Sequence, residues 1–424
     1  MHNDNNVMLK EKGVCGIVPR YAHDAVTING IRLSDYRIVY PAQTSGFEKT
    51  VAEMLSARIF DLTEDSVPFL ADCEATSAHK IMLHQDQSLE CGMIVLEDGI
   101  ELCGKSAYHL GIVAKELLDR IEDVMIRGDG KIDVAGKTDV PEKRSISLMA
   151  YNFYGFHAYQ SRMDNICRVI TKYLPDVLSI QEPDLAMMEL THINLDGYYE
   201  YYNGRPRHGE DENNLPADAK GANSVAPILY NKKRFHLLSA DTRWMSDTPE
   251  DPSKYENSVY YRHYSYAVLE DLFTKERFVA VNLHLQRSVA VEQVKIVLEH
   301  LNRCFNDLPI FLIGDFNSEI DKPVLEMLLQ SAGFASTHNT AKKIRDGHNR
   351  IDWILYTKDC AEADFYHCCT ETYPDPDDKK GYYHGKTPSD HFAYYAEITV
   401  DHSRKILHDW SDTLLWEPEP IEAT

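Results

Sequence analysis

Positive charge is what this chain has least of for its size: 44 Lys and Arg stand against 67 Asp and Glu, a formal net charge of −23 over 424 residues. Proteins that grip duplex nucleic acid leave a basic footprint, because neutralising phosphates provides much of their affinity. Long duplex DNA is therefore a poor substrate expectation, although an acidic surface is compatible with a local basic pocket for one phosphate group. The chain also lacks any apolar run near the ~20 residues of a membrane span, and its opening "MHNDNNVMLKEKG" has no apolar core of the kind a signal peptide needs. The expectation is a soluble, cytoplasmic protein without a transmembrane segment. The nine cysteines are odd in number, scattered and free of any C-x-x-C pair. That excludes the usual zinc spacing, argues against a disulfide framework and leaves reduced structural thiols.

What is present is a globular composition, 43% hydrophobic and 26% charged, in a chain long enough for two domains. Residues 1–34 show no sustained period and read as a flexible arm. Residues 35–125 read as a small α+β domain. "YRIVYPA" and "HKIMLHQ" are strands, "GFEKTVAEMLSARIF" repeats apolar residues at helical spacing, "CGMIVLEDGIELCG" is a hairpin, and "AYHLGIVAKELLDRIEDV" is an amphipathic helix. This element order and the "GIELCGKSAYHLGIVAKELLDRI" segment are similar to the accessory α+β domain that precedes the catalytic barrel of hexosaminidase-like glycoside hydrolases. His79, His84 and His109 are scattered and read as packing or surface residues. The Gly-, Asp- and Lys-rich residues 126–145 read as a linker.

From 146 to 400 the pattern is that of an α/β sheet protein. "SISLMAYN" and "DVLSIQE" are strands joined by a helix, and "VAPILYN", "YSYAVLED" and "RFVAVNLHL" follow a long polar surface loop. "IFLIGDFNSE" is a buried strand broken at Gly314, which delivers Asp315 and Asn317 at its mouth. "NRIDWILY" carries Asp352, and "TPSDHFAYYAEITV" carries Asp390 and His391 just before the last strand. Residues 401–424 read as an acidic tail with Trp410 and Trp416.

Asn152, Glu182, Asn282, His284, Asp315, Asn317, Asp352, Asp390 and His391 thus gather at the ends of six core strands. One polar residue at a strand end is ordinarily a cap or turn former; this many converging argues for a site. Carboxylates among them are hard ligands suited to Mg²⁺ or Mn²⁺.

The ordered set "YN…QEP…NLHL…GDFNSE…RIDWIL…SDHF" resembles the endonuclease/exonuclease/phosphatase superfamily, the deoxyribonuclease I-like fold, over about residues 145–400. The resemblance implies a four-layer α/β sandwich of two mixed β-sheets flanked by helices, and cleavage of phosphoester bonds with Mg²⁺ or Mn²⁺. It implies Glu182 as the principal metal ligand with Asn152 and Asp390 nearby, Asp315 on the attacking water and Asn317 on a phosphoryl oxygen. Asp352 would pair with His391, and His284 would be a second donor. Several members carry a Glu shortly before the "PIxY" strand that partners the first His; here Asn223 and Ser224 stand there, so Asn223 is the expected hydrogen-bond partner of His284. That change implies slower turnover or an easier leaving group. "TRWMSDTPEDPS" and Arg262 match the part of the superfamily nearest to phosphodiesterases of small substrates and lipid headgroups. Arg262, Asn282 and Asn223 are accordingly candidate substrate contacts, whereas Lys342, Lys343, Arg345 and Arg350 read as solvated charge. The expected activity is hydrolysis of a small-molecule or lipid-headgroup phosphodiester. The alternatives are a binding protein on a degenerate phosphoesterase fold and a nuclease.

Overall fold

The structure is a computed structural model. It describes residues 25–43, 47–72, 79–86, 88, 90–105, 107–127, 130–134, 136–139, 145–155, 160–184, 187–189, 191, 195, 199–205, 225–272, 274–370 and 388–418. The chain divides into two compact units between residues 143 and 144. No described helix is long and apolar enough to cross a membrane.

In the first unit, strands β1 (Tyr36–Tyr40), β2 (Phe69–Ala71), β3 (His79–Gln85), β4 (Gly92–Leu96), β5 (Gly99–Gly104) and β6 (Lys137–Asp139) form one sheet in the order β2-β1-β3-β5-β4-β6. Helices α1 (Phe47–Thr63) and α2 (Ala107–Arg127) pack together against it. Val51, Leu55 and Ile59 of α1, one turn apart, are buried, as their spacing requires. Two boundaries differ from the sequence reading. Residues 25–34, expected to lie in an arm, include strands Thr27–Ile28 and Ile31–Arg32, and the first pairs with Lys131–Ile132. Ile28 and Leu33 are fully buried, which ties this segment down. The expected linker 126–145 supplies that partner strand and also β6, paired with β4.

The second unit holds two sheets. The first runs β9 (Tyr199–Tyr202), β10 (Ile228–Asn231), β8 (Val177–Gln181), β7 (Ile146–Asn152), β19 (Ala393–Val400), β18 (Ala361–Cys369), β16 (Lys343–Ile344). The second runs β11 (Phe235–Trp244), β12 (His263–Asp271), β13 (Arg277–His284), β14 (Ile310–Asp315), β17 (Asp352–Thr357), β15 (Phe334–Ser336). Parallel pairs β7/β8 and β13/β14 sit among antiparallel ones, so both sheets are mixed.

Alternation along the strands makes the layers. Phe311 and Ile313 of β14, with Phe278 and Ala280 of β13, join Leu148, Ala150, Ala396 and Ile398 of the other sheet in one core between the sheets. Ile310 and Leu312, with Val279 and Val281, point the opposite way into a core with Val294, Val297, Leu298 and Leu301 of helix α4 (Ala290–Phe305). On the far side, Tyr173 of helix α3 (Gln160–Tyr173) lies 5.4 Å, centroid to centroid, from the rings of both His367 and Tyr395. The result is a four-layer α/β sandwich of two mixed sheets flanked by helices, as the motif order implied. The expected tail is partly core. Trp410 is 3% exposed, stacks on Phe334 at 5.7 Å and donates its indole N–H to the Ala332 carbonyl at 2.8 Å.

Candidate active site

The same alternation that builds the inter-sheet core carries the polar residues to its mouth. Continuing the inner face of each strand past its last apolar residue leads from Ala150 to Asn152, from Ala280 through Asn282 to His284, from Ile313 to Asp315, and back from Ile354 to Asp352. Register finishes the placement: His284 pairs with Asp315 across β13/β14, and Asp315 with Asp352 across β14/β17. Gly314 is what allows this. It has φ +148, and a Cβ there would lie 2.0 Å from the Leu283 carbonyl oxygen, so only glycine lets Asp315 follow a strand packed this closely.

Asp315 is 2% exposed. Its Oδ2 accepts from Asn152 Nδ2 at 3.1 Å and lies 3.5 Å from His284 Nε2 and 3.9 Å from His391 Nε2. Its Oδ1 accepts the Asn317 backbone N–H at 2.8 Å. Burial, reinforced by the neighbouring Asp352 carboxylate, pushes Asp315 up to about 7. His391 Nδ1 sits 2.8 Å from Asp352 Oδ2. Burial pulls the imidazole down, but Asp352, Asp315 and Asp390 outweigh it and raise His391 to about 10, so this ring is an imidazolium at neutral pH. Its loop is anchored by residues that sequence reasoning did not single out. Arg162 donates to the Pro388 carbonyl at 2.7 Å, and Ser389 Oγ donates to the Asn152 carbonyl at 2.7 Å.

Glu182 was expected as the last residue of its strand. Instead β8 ends at Gln181 and Glu182 turns away with φ +55, a left-handed conformation that costs a non-glycine residue about 1 kcal/mol or more. That turn brings its Oε1 to 3.7 Å from His284 Nε2. Asn317 is also left-handed, φ +49, and its side-chain N–H donates to the Leu285 carbonyl at 2.9 Å, which leaves one amide hydrogen and its oxygen for a ligand.

His284 has the partner that sequence reasoning missed. Its Nδ1 lies 2.9 Å from an Arg262 guanidinium nitrogen. Burial, then Arg262 and His391, hold this imidazole well below its usual range. The expected partner Asn223 lies outside the described residues. Arg262 is itself buried at 8% exposure, with the Tyr260 ring 5.2 Å from its guanidinium carbon. Asn282, expected to meet substrate, is placed one layer deeper. Both its N–H groups are donated, to the carbonyls of Ile180 at 2.7 Å and Pro227 at 2.9 Å, and its oxygen accepts from Gln181 at 2.8 Å. It braces one sheet against the other beneath the site. A small cleft opens beside Glu182, Tyr261, Arg262 and His284.

A hard divalent cation fits this donor set. Burial holds Glu182 above the usual carboxylate range, and Asp390 adds to the effect. Asp390 is itself raised, first by burial. Buried, mutually repelling carboxylates are the condition a dication relieves. The Asn152 side-chain oxygen accepts the Tyr154 N–H at 2.9 Å and retains a second lone pair. Asp315, Asp352 and His391 also converge, with one ligand-capable atom each inside 4.8 Å, so a second group that could hold a cation lies beside the first.

Two mixed sheets packed face to face, with carboxylates and imidazoles at the mouth between them, define a deoxyribonuclease I-like sandwich. The sequence profile of the Endonuclease/Exonuclease/phosphatase family matches residues 149–391, more than half of the chain, and the chain belongs to that family. Its members are hydrolases that act on phosphoesters. Protein angel of Drosophila melanogaster is 26% identical over 184 residues, 42% of this chain and 49% of that protein, so the chain spans about half the length of the curated relative it matches. An endonuclease/exonuclease/phosphatase family protein from Bacteroides thetaiotaomicron superposes with a TM-score of 0.53 at 22% identity, over 61% of this chain and 98% of that one. A mannosyl-6-phosphatase of Bacteroides thetaiotaomicron VPI-5482 superposes with a TM-score of 0.52, also at 22% identity, over 60% of this chain and 99% of that one. At these identities the two structures show a shared fold.

Proposed function

We propose that this protein is a divalent-metal-dependent phosphoesterase that hydrolyses a small phosphorylated molecule or lipid headgroup, with Asp315 as the base for the attacking water. The observation that carries this reading is the surroundings of Asp315 Oδ2, with Asn152 Nδ2 at 3.1 Å, His284 Nε2 at 3.5 Å and His391 Nε2 at 3.9 Å. A base held near 7 matches its task at neutral pH, hydrogen bonds from Asn152 Nδ2 and the Asn317 backbone N–H orient it, and two imidazoles stand close by.

Glu182, Asn152 and Asp390 would hold Mg²⁺ or Mn²⁺. When bound, such an ion neutralises charge on a phosphoryl oxygen and helps fix the substrate. Asp315 takes the proton of a water aligned with the bond to be broken, and the new P–O bond forms as the bond to the leaving oxygen breaks. The His391 imidazolium, kept charged by Asp352, donates to the phosphoryl oxygens as their charge grows. The free amide hydrogen of Asn317 and His284 Nε2 add further donors. The formal charge of −23 favours a compact substrate over duplex nucleic acid. The fold shared with a phosphatase of a phosphorylated sugar is consistent with a small substrate.

The test is hydrolysis of p-nitrophenyl phosphate and bis(p-nitrophenyl) phosphate with Mg²⁺ or Mn²⁺, before and after chelation, by wild type, Asp315→Ala and His391→Ala. Turnover that needs metal and is abolished by both substitutions supports the proposal. No turnover on either ester or on a wider phosphoester panel favours the binding-protein reading.

A further inference from the structure

We propose that Arg262 is a positioning residue that holds His284 as its Nε2–H tautomer, so that His284 meets the substrate as a neutral hydrogen-bond donor rather than as an imidazolium. The argument starts from donor inventory. A guanidinium carries only N–H donors, no acceptor, and does not lose its proton in proteins. Its nitrogen lies 2.9 Å from His284 Nδ1, so Nδ1 must present a lone pair. The one ring proton of a neutral imidazole then sits on Nε2.

Nε2 is the nitrogen that faces the reaction centre. It lies 3.5 Å from Asp315 Oδ2 and 3.7 Å from Glu182 Oε1, on the wall of the cleft that Arg262 and Tyr261 also line. Arg262 is well held for this task. It sits one residue before β12, the strand that pairs with β13, on which His284 is the last residue. Tyr260 covers its guanidinium, and Glu182 and Asp315 attract it.

Among the described residues, Arg262 and not a carboxylate meets Nδ1. A Glu on Nδ1 favours a charged ring that can release a proton; an Arg on Nδ1 favours a neutral ring that keeps it. Positive charge still reaches the site, but it resides on a guanidinium that keeps its proton, one residue removed, and polarises the imidazole N–H. His391 and His284 then divide the work, one as a charged donor and the other as a neutral one. The role toward substrate rests on the phosphoesterase reading; the tautomer does not.

The experiment is nitrogen NMR on protein labelled with ¹⁵N-histidine, with and without Mg²⁺, the His284 signals being assigned by their loss in His284→Asn. The expected wild-type pattern is a protonated, pyrrole-type Nε2 and an unprotonated, pyridine-type Nδ1. Arg262→Lys, another pure donor, should keep the pattern, and Arg262→Met should lose it. With bis(p-nitrophenyl) phosphate, Arg262→Met should lower kcat by ~10-fold with little change in KM, as loss of an orienting partner commonly does, and Arg262→Lys should recover most of it. A wild-type His284 that carries its proton on Nδ1, or on both nitrogens, overturns the proposal even if both Arg262 variants misfold. A wild type with the expected tautomer that hydrolyses neither ester supports the lock while counting against the phosphoesterase reading.

Discussion

His391 Nδ1 and Asp352 Oδ2 are 2.8 Å apart, although the two residues come from different sheets. Asp352 opens β17 of the second sheet, and His391 lies two residues before β19 of the first. The ion pair therefore spans the mouth of the sandwich, and its charge state decides what the site does.

Under the proposed mechanism, activity requires Asp315 to be unprotonated and His391 protonated. Asp315 is raised to about 7, so the rate should fall as pH drops through that value. His391 is raised to about 10, so the rate should fall again as pH climbs through that value. Asp352→Asn removes the main group that raises His391, and it also removes a like charge beside Asp315. Both limbs of the kcat profile should move to lower pH, and kcat at neutral pH should drop by about 10²-fold. An unshifted alkaline limb would count against His391 as the charged donor.

Gly314→Ala should be strongly destabilising. The added Cβ meets the Leu283 carbonyl oxygen at 2.0 Å and Gln181 Nε2 at 3.1 Å. Neither neighbour has slack, because Leu283 is inside β13 and Gln181 bridges to Asn282. A loss of about 3 kcal/mol or more is expected from combined backbone strain and overpacking. Urea denaturation checks it, and a change below ~1 kcal/mol would show that β13 and β14 can separate.

Arg234 lies between two buried carboxylates, with Nε donating to Asp271 at 2.8 Å and a terminal nitrogen donating to Asp176 at 2.6 Å. Its side chain is 3% exposed. Arg234→Met keeps most of the volume and leaves both carboxylates without this cation. The expected cost is about 3–5 kcal/mol, read as a lower urea midpoint. Because the site is remote from Asp315, any folded variant should keep wild-type KM.

His300 gives the second unit an acid sensitivity separate from the active site. Burial, aided by Arg243 and Arg303, holds it at about 4 against an ordinary 6.5, and Tyr264 caps its Nδ1 at 2.7 Å. Below 6.5 the unfolded chain takes up a proton that the native site refuses until about 4. This contribution to stability is therefore complete above 6.5 and lost progressively down to about 4, at up to ~1.4 kcal/mol per pH unit. His300→Gln should flatten that slope in melting curves taken between pH 7 and 4.5; an equal slope would remove His300 as its source.

Strands buried on both faces were the legible part of the fold. β7, β13 and β14 are continuous apolar runs bounded by turn formers, and their ends announced the site. β11 was missed because an edge strand, with His236, Leu238 and Ser239 exposed, shows little alternation. β18, second from the edge of its sheet, was missed because "AEADFYHCC" mixes charge and cysteine through a register shift near Ala363. Trp410 looked like tail, since its burial depends on Phe334 and Ala332, which lie far away in sequence.

The sequence by itself determined the family, the two-sheet α/β class and the residues that gather at the strand ends, because strand period and the order of short motifs are local properties. Only the tertiary structure decided what those residues do to one another. That Asn282 is a brace, that Glu182 turns out of its strand, and that Arg262 meets His284 at Nδ1 all depend on distances between strands. Hydrogen-bond direction and ionisation follow from those distances, and no spacing along the chain encodes them.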